Sequence, residues 1–160
     1  MRTPEAVLSW PKLFVPEAPK PGDKPVYSCT LVFLPDTDLS DMKKTAMAAL
    51  VEKFKLEASE IAERTKLDSE DPDFIRWPFM DNPKKIAKKG YPEGSTAVNV
   101  KTYQKPGIVT QYADPVTGKP MPIQSEEDCK YGSVVMATVG ENAYDKKGNK
   151  GVSFWLNNMQ

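Results

Sequence analysis

The side chains best suited to chemistry lie on a strand-like segment, Ser95–Tyr103. Alternate residues of a strand share a face, so Asn99, Lys101 and Tyr103 would project from one side as an amide, an ammonium and a phenol. The other side is mostly valine and would face a core. Ammonium groups bind phosphates, and aromatic rings stack on unpaired bases. This face therefore predicts binding to a single-stranded nucleic acid.

A second strand-like segment, Gly151–Asn158, carries a large aromatic residue on its polar side. Phe154 would face a core, whereas Trp155 would face outward with serine and asparagine. Every base has a π-face, so an exposed ring can hold one for about 1–3 kcal/mol, whatever its identity. Taken singly, each such ring is better explained as the cover of a second structural layer. The rings together with interleaved lysines favour binding.

The predicted contact set combines cations for phosphates with rings and an amide for bases. The polar turn Asp145–Lys150 and the adjacent arginine and tryptophan of the FIRWP segment extend it beyond the two strands. The predicted DNA-binding residues are Arg76, Trp77, Asn99, Lys101, Tyr103, Lys105, Tyr112, Tyr144, Lys146, Lys150 and Trp155. Four other aromatic residues are assigned to the core: Trp10, Phe14, Phe33 and Phe154.

Groups for catalysis are scarce in this chain. It has no histidine, which removes the commonest general base and metal ligand. Its two cysteines, Cys29 and Cys129, are too few for a thiolate zinc site and are interpreted as reduced thiols. Neither the GxGxxG fingerprint nor the GxxxxGK[ST] loop occurs. We therefore predict a protein that is not an enzyme and needs no cofactor or metal.

Charge is balanced overall but divided along the chain. The sequence holds 22 basic and 22 acidic residues. Asp36–Asp73 contains eleven acidic against six basic residues, whereas Lys84–Lys119 contains seven lysines against two acids. A polyanion would dock on the second region, because the local field decides where it binds. The acidic run Asp68–Asp73 could supply oxygens to Mg²⁺ in a nuclease, but a solvated linker explains it better.

The surrounding elements predict one domain spanning residues 1–160, mainly β in class (α+β). An opening strand over Ala6–Val15 would be bent at Pro11 or lie at a sheet edge, and Val26–Leu34 would form the clearest strand of the first half. Leu39 begins an apolar stripe at three- and four-residue steps, which predicts one amphipathic helix reaching about Arg64. A lysine-rich loop over Asp81–Gly94 and four or so further strands would follow. The sequence has no apolar run that would span a membrane and no leader pattern.

The closing sequence GNKGVSFWLNNMQ (Gly148–Gln160), preceded by NAYD, resembles the signature that ends the fold of a group of bacteriophage single-stranded-DNA-binding proteins. The PVYSCTLVFLP strand and the NVKTYQKP segment are similar in kind, so the likeness covers nearly the whole chain. The resemblance implies an oligonucleotide-binding (OB) fold, a Greek-key β-barrel with one prominent helix. By position, Asn99, Lys101 and Tyr103 would lie on the barrel face, and Tyr144 to Lys150 would form the hairpin at its mouth.

The same resemblance implies a role in phage DNA replication, recombination and repair, in the cytoplasm of the infected host. Proteins of this function commonly end in a flexible acidic tail that recruits replication partners. The sequence ends at Gln160 without such a tail, so recruitment of phage replication proteins would need a segment that is absent or removed. A monomer and a homodimer both remain open. The alternative function is that of a viral structural or assembly protein, whose sheet face would pack against another subunit.

Overall fold

A computed structural model describes all residues from Met1 to Gln160. Ten strands and three α-helices follow one another along the chain. They are β1 (Ala6–Glu17), β2 (Val26–Phe33), α1 (Ser40–Phe54), α2 (Ala58–Arg64), β3 (Ile75–Arg76), β4 (Phe79–Met80), α3 (Pro83–Lys88), β5 (Thr96–Thr102), β6 (Gly107–Ala113), β7 (Pro120–Pro122), β8 (Val134–Val135), β9 (Ala137–Lys146) and β10 (Asn149–Met159).

Five long strands close into a barrel. β1 is antiparallel to β2, β2 is antiparallel to β5, β5 is parallel to β10, and β10 is antiparallel to β9. The ring returns to β1 through β8, which immediately precedes β9, and through a bridge between Arg2 and Thr138. This strand order is that of the Greek-key OB barrel. The predicted fold class is thus confirmed.

The parallel pairing between β5 and β10 is short, and a segment that pairs with both strands fills the gap beside it. Only Val100 beside Phe154 and Lys101 beside Trp155 are paired directly. Upstream of that point the two strands diverge. Residues 75–80, which we name the wedge, fill the gap because β3 pairs with β10 and β4 pairs with β5. The wedge therefore belongs to the barrel wall, although its two strands have only two residues each.

The predicted helix is present but is divided into two. α1 buries Met42, Ala46 and Leu50 and packs against β9 and β10. It ends at Lys55, which adopts a left-handed conformation with φ 56° and donates its N–H to the Val51 carbonyl. α2 starts three residues later. The prediction of one helix reaching about Arg64 was wrong, because a left-handed C-cap stops the helix there.

The predicted lysine-rich loop at Asp81–Gly94 contains α3. The Asn82 side chain caps this helix by accepting hydrogen bonds from the next two lysine N–H groups, and Ile86 is buried. Together with Val32 and Tyr91, Ile86 covers Ala97 of β5. By the two-residue alternation, Ala97 lies on the same strand face as Asn99, but α3 buries it.

The hairpin between β9 and β10 turns in two residues. Lys147 and Gly148 both have positive φ, at 53° and 83°. This combination is typical of a type I′ turn, whose twist matches that of the flanking strands. The Asp145 carboxylate accepts the Gly148 N–H at 3.2 Å. The polar turn predicted at Asp145–Lys150 is confirmed.

Both cysteines are free and buried, and their burial predicts a dependence of stability on pH. Burial raises the pKa of the Cys29 and Cys129 thiols above the ordinary value of 9.0. Unfolded thiols would ionise as the pH passes about 9, while the folded ones stay protonated, so stability is lost with rising pH. We expect the urea midpoint to fall between pH 8 and 10. In the combined Cys29→Ala and Cys129→Ala variant, the urea midpoint should fall less steeply with pH. An equally steep fall would assign the pH dependence to other groups.

None of the helices is both long and apolar enough to cross a membrane.

Candidate nucleic-acid interface

A groove of about 1040 Å³ lies over the face formed by β2 and β5. Ser28 and Thr30 of β2 and Asn99 and Lys101 of β5 line it, and they are register neighbours across the two strands. The Thr30 hydroxyl donates to the side-chain oxygen Oδ1 of Asn99 at 2.7 Å, which fixes the orientation of the Asn99 amide. In OB folds, this face and its bordering loops bind oligonucleotides.

Two walls border this face. Trp10 and Lys12 of β1 line one side, while the wedge and α3 line the other with Trp77 and Lys85. Trp77 is half-buried against Phe79, with ring centroids 5.2 Å apart. Aromatic rings thus occur on both walls, beside a polar floor.

The charged residues of the groove lining are predominantly basic. It includes five cations, Lys12, Arg76, Lys85, Lys89 and Lys101, against two carboxylates, Glu17 and Asp81. The Lys12 ammonium pairs with Glu17, but none of the other four cations takes part in an ion pair. These four cations are therefore free to bind phosphate oxygens.

Arg76 and Tyr144 lie together at the hairpin end of the groove. Both pack against Gly151 of β10, which pairs with each of them across the sheet. Burial raises the pKa of the Tyr144 phenol above its usual value of 10.0, and the Arg76 cation opposes this shift. The phenol therefore stays neutral at physiological pH, beside a fixed positive charge.

Gly151 leaves no room for a side chain at this point. A Cβ there would lie 2.7 Å from the Tyr144 hydroxyl and 2.9 Å from the Arg76 carbonyl oxygen. We expect Gly151→Ala to lower the free energy of unfolding by about 1–3 kcal/mol, because the wedge backbone must shift. Urea denaturation measures this. Gly140→Ala is the matched control, since a Cβ at Gly140 meets nothing within 4 Å. Equal stability of the two variants would contradict the close packing.

A second aromatic cluster lies next to Lys101. The rings of Tyr103 and Trp155 have centroids 5.3 Å apart. Lys101 Nζ lies 5.5 Å from the Trp155 ring centroid, and Lys24 Nζ lies 4.7 Å from that of Tyr103. Trp155 follows the groove residue Ser153 on the same strand face. The cluster therefore continues the groove beyond Lys101.

The structure brings together some of the residues predicted from sequence and separates others. Arg76, Trp77, Asn99, Lys101 and Tyr144 line the groove. Tyr103 and Trp155 extend it. Four residues lie outside it: Lys105 follows β5, Tyr112 is 64% exposed on β6, and Lys146 and Lys150 flank the hairpin turn. DNA contact by any of these residues stays a prediction.

Sequence reasoning missed part of the lining. Trp10 was assigned to the core, but this was wrong, because its side chain is 67% exposed in the groove. Phe33 and Phe154 are fully buried as expected, and Phe14 packs at the core margin. Lys85 of α3 and the C-cap residue Lys89 also line the groove, although the sequence analysis placed both in a loop. The only signal for Trp10 was Pro11, which marked a bend without giving its direction.

The acidic run Asp68–Asp73 forms turns. Asp68 and Asp71 each accept a backbone N–H two residues ahead. The structure contains no group of three or more histidine, cysteine, aspartate or glutamate side chains placed to hold a metal ion.

Residues 2–160 match the model of the family described as Enterobacter phage Enc34, ssDNA-binding protein. The C-terminally truncated single-stranded DNA-binding protein from bacteriophage Enc34 superimposes with a TM-score of 0.65 at 18% identity, covering 99% of this chain and 82% of that one. The structure of the Enc34 protein in complex with ssDNA gives the same values.

Similarity extends to gp2.5, a single-stranded DNA binding protein encoded by bacteriophage T7. The TM-score is 0.56 at 17% identity, with 99% of this chain and 88% of that chain covered. At these identities the structures show a shared fold. Curated proteins give no match. The family model spans nearly the whole sequence, and the chain therefore belongs to the Enc34 family of phage single-stranded-DNA-binding proteins.

Proposed function

We propose that this chain binds single-stranded DNA along the groove, with little dependence on sequence. The observation that carries the proposal is the lining of the groove, where aromatic rings on both walls lie near four cations that have no carboxylate partner. Such cations release counterions from phosphates, and such rings stack on bases of any identity. The Enc34 protein, with the same fold, has been solved with ssDNA bound.

The proposed activity is binding without catalysis, and residues 1–160 form the DNA-binding domain. In an infected cell, such a protein would coat exposed strands in the host cytoplasm during phage DNA replication, recombination and repair. The alternative of a structural or assembly protein gains no support from the family match or from the structures described. Incubation of labelled ssDNA with the protein and Mg²⁺ should leave the strand intact, and metal-dependent cleavage would overturn the non-enzymatic assignment.

Fluorescence anisotropy of a labelled thirty-nucleotide dT strand tests the proposal, in a salt titration from 50 to 200 mM. Each phosphate contact to a single strand contributes about −0.7 to the slope of log K against log salt, so four cations give about −2.8. The affinity should therefore fall about 50-fold over this range. Absence of binding at 50 mM salt by folded protein would contradict the proposal. Concentration-dependent oligomers under those conditions would favour the assembly function.

Lys85 of α3 and Lys89, which caps the C-terminus of α3, provide a separate test of the electrostatic contribution to binding. Lys85→Ala combined with Lys89→Ala should reduce the salt slope by about 1.4, because two phosphate contacts are lost. The matched control is Lys44→Ala combined with Lys53→Ala on α1, outside the groove lining. Anisotropy titrations at several salt concentrations give both slopes. An equal reduction in the two double variants would show that only overall charge matters.

A further inference from the structure

We propose that Trp10 is a base-stacking residue of the groove, displayed there by a bulge in β1. The proposal rests on the proposed function and adds a contact residue on the wall opposite the wedge. It follows from three observations, which concern the pairing of β1, the backbone at Trp10 and the position of the indole.

The pairing of β1 with β2 contains one extra residue at Trp10–Pro11. Ser9 pairs with Thr30, but Lys12 pairs with Ser28, so three steps along β1 match two along β2. The buried side of β1 changes accordingly. Before the extra residue it is an even position, Leu8, that faces the core, and after it an odd position, Leu13. Without the extra residue, Trp10 would share the buried face with Leu8. β-Bulges commonly redirect a side chain next to a functional site.

The backbone at Trp10 is strained. Its φ of 47° is left-handed, a region that bulky side chains rarely adopt. A residue before proline is also held by steric contacts in extended conformations. Core packing does not compensate this strain, because the Trp10 side chain is 67% exposed. Strained backbone conformations of this kind cluster at active sites and ligand-binding sites.

The indole lies where an unpaired strand would pass. Trp10 lines the groove with Lys12 beside it and with Ser28 and Thr30 on the neighbouring strand. Trp10 on β1 and Trp77 in the wedge are separated by β2 and β5. This corresponds to three strand spacings, about 14 Å along the sheet. Bases of one strand can therefore meet a ring at either wall, while the cations reach the phosphates.

The test compares Trp10→Asn with Trp10→Tyr in the full chain. Asparagine tolerates left-handed φ, so Trp10→Asn should keep or raise the melting temperature while weakening dT binding about 5- to 150-fold, the range for one lost stack. Trp10→Tyr keeps a ring and should stay close to wild type. Tyr131→Asn is the control, since Tyr131 is similarly exposed, at 64%, but lies outside the groove lining.

The outcomes separate this proposal from the proposed function. Failure of the wild-type protein to bind dT would overturn the proposed function and the role of Trp10 together. Unchanged dT affinity of Trp10→Asn, with wild-type binding intact, would overturn only the role of Trp10. Unchanged affinity with a loss of self-association in sedimentation velocity would assign the indole to a contact between copies of the chain. A large drop in melting temperature would assign it to the fold.

Discussion

Replacing Trp155 with alanine is expected to weaken binding of a thirty-nucleotide dT strand by about 5- to 150-fold, the effect of losing one stacked base. Trp155 is half-buried beside Tyr103, and Lys101 Nζ lies 5.5 Å from its ring centroid. Its removal eliminates one stacking surface. It also frees the side chains of Tyr103 and Lys101, which lie against the Trp155 ring. Anisotropy titration at low salt measures the change.

Trp155→Phe is the control for this effect. A phenylalanine keeps a ring beside Tyr103 and should recover most of the affinity. Melting temperatures of both variants separate a lost contact from a lost fold. If Trp155→Ala binds dT as tightly as the wild type, the Tyr103–Trp155 cluster is a cover for the sheet and the binding face ends at Lys101.

Replacing the preceding residue, Phe154, should lower the stability of the fold rather than the affinity of the folded protein for dT. Phe154→Ala is expected to lower the free energy of unfolding by about 3–5 kcal/mol, because the ring is fully buried and its removal leaves a cavity. The ring packs edge-on against Phe79 of the wedge at 5.8 Å between centroids. For a chain of this length, the melting temperature should fall by about 6–20 °C. Thermal and urea unfolding give the value.

Phe154→Leu fills more of the site and should cost clearly less than alanine. The folded fraction of either variant should still bind dT, since Phe154 is inaccessible to a ligand. Equal destabilisation by alanine and leucine would show that the aromatic contact with Phe79, rather than volume, stabilises this part of the core.

The barrel was predictable because its long strands carry a two-residue alternation that survives folding. Val98 and Val100 are buried as the alternation predicts, and Lys101 and Trp155 are neighbours in the sheet. The closing residues 148–160 also lie within the part of the chain that matches the family model. The face of the candidate site was therefore accessible to sequence reasoning, although its edges were not.

The misassigned features each depend on a local backbone choice that side-chain patterns do not encode. The apolar stripe of the helix passes through Lys55 without interruption, so its left-handed cap is invisible in the sequence. At Trp10, one extra residue exchanges the two faces of β1. The wedge pairs through strands of two residues, which are too short to show a period.

The wedge also determines where the barrel opens locally. Because β5 and β10 are paired directly at only two positions, the sheet upstream of them holds together only while residues 75–80 remain docked. Native-state exchange of amide protons should therefore proceed there through local opening, at a lower free energy than in the continuous β2–β5 pairing. The same opening would carry Trp77 and Arg76 away from the floor of the groove. Local opening of these six residues would thus widen the groove.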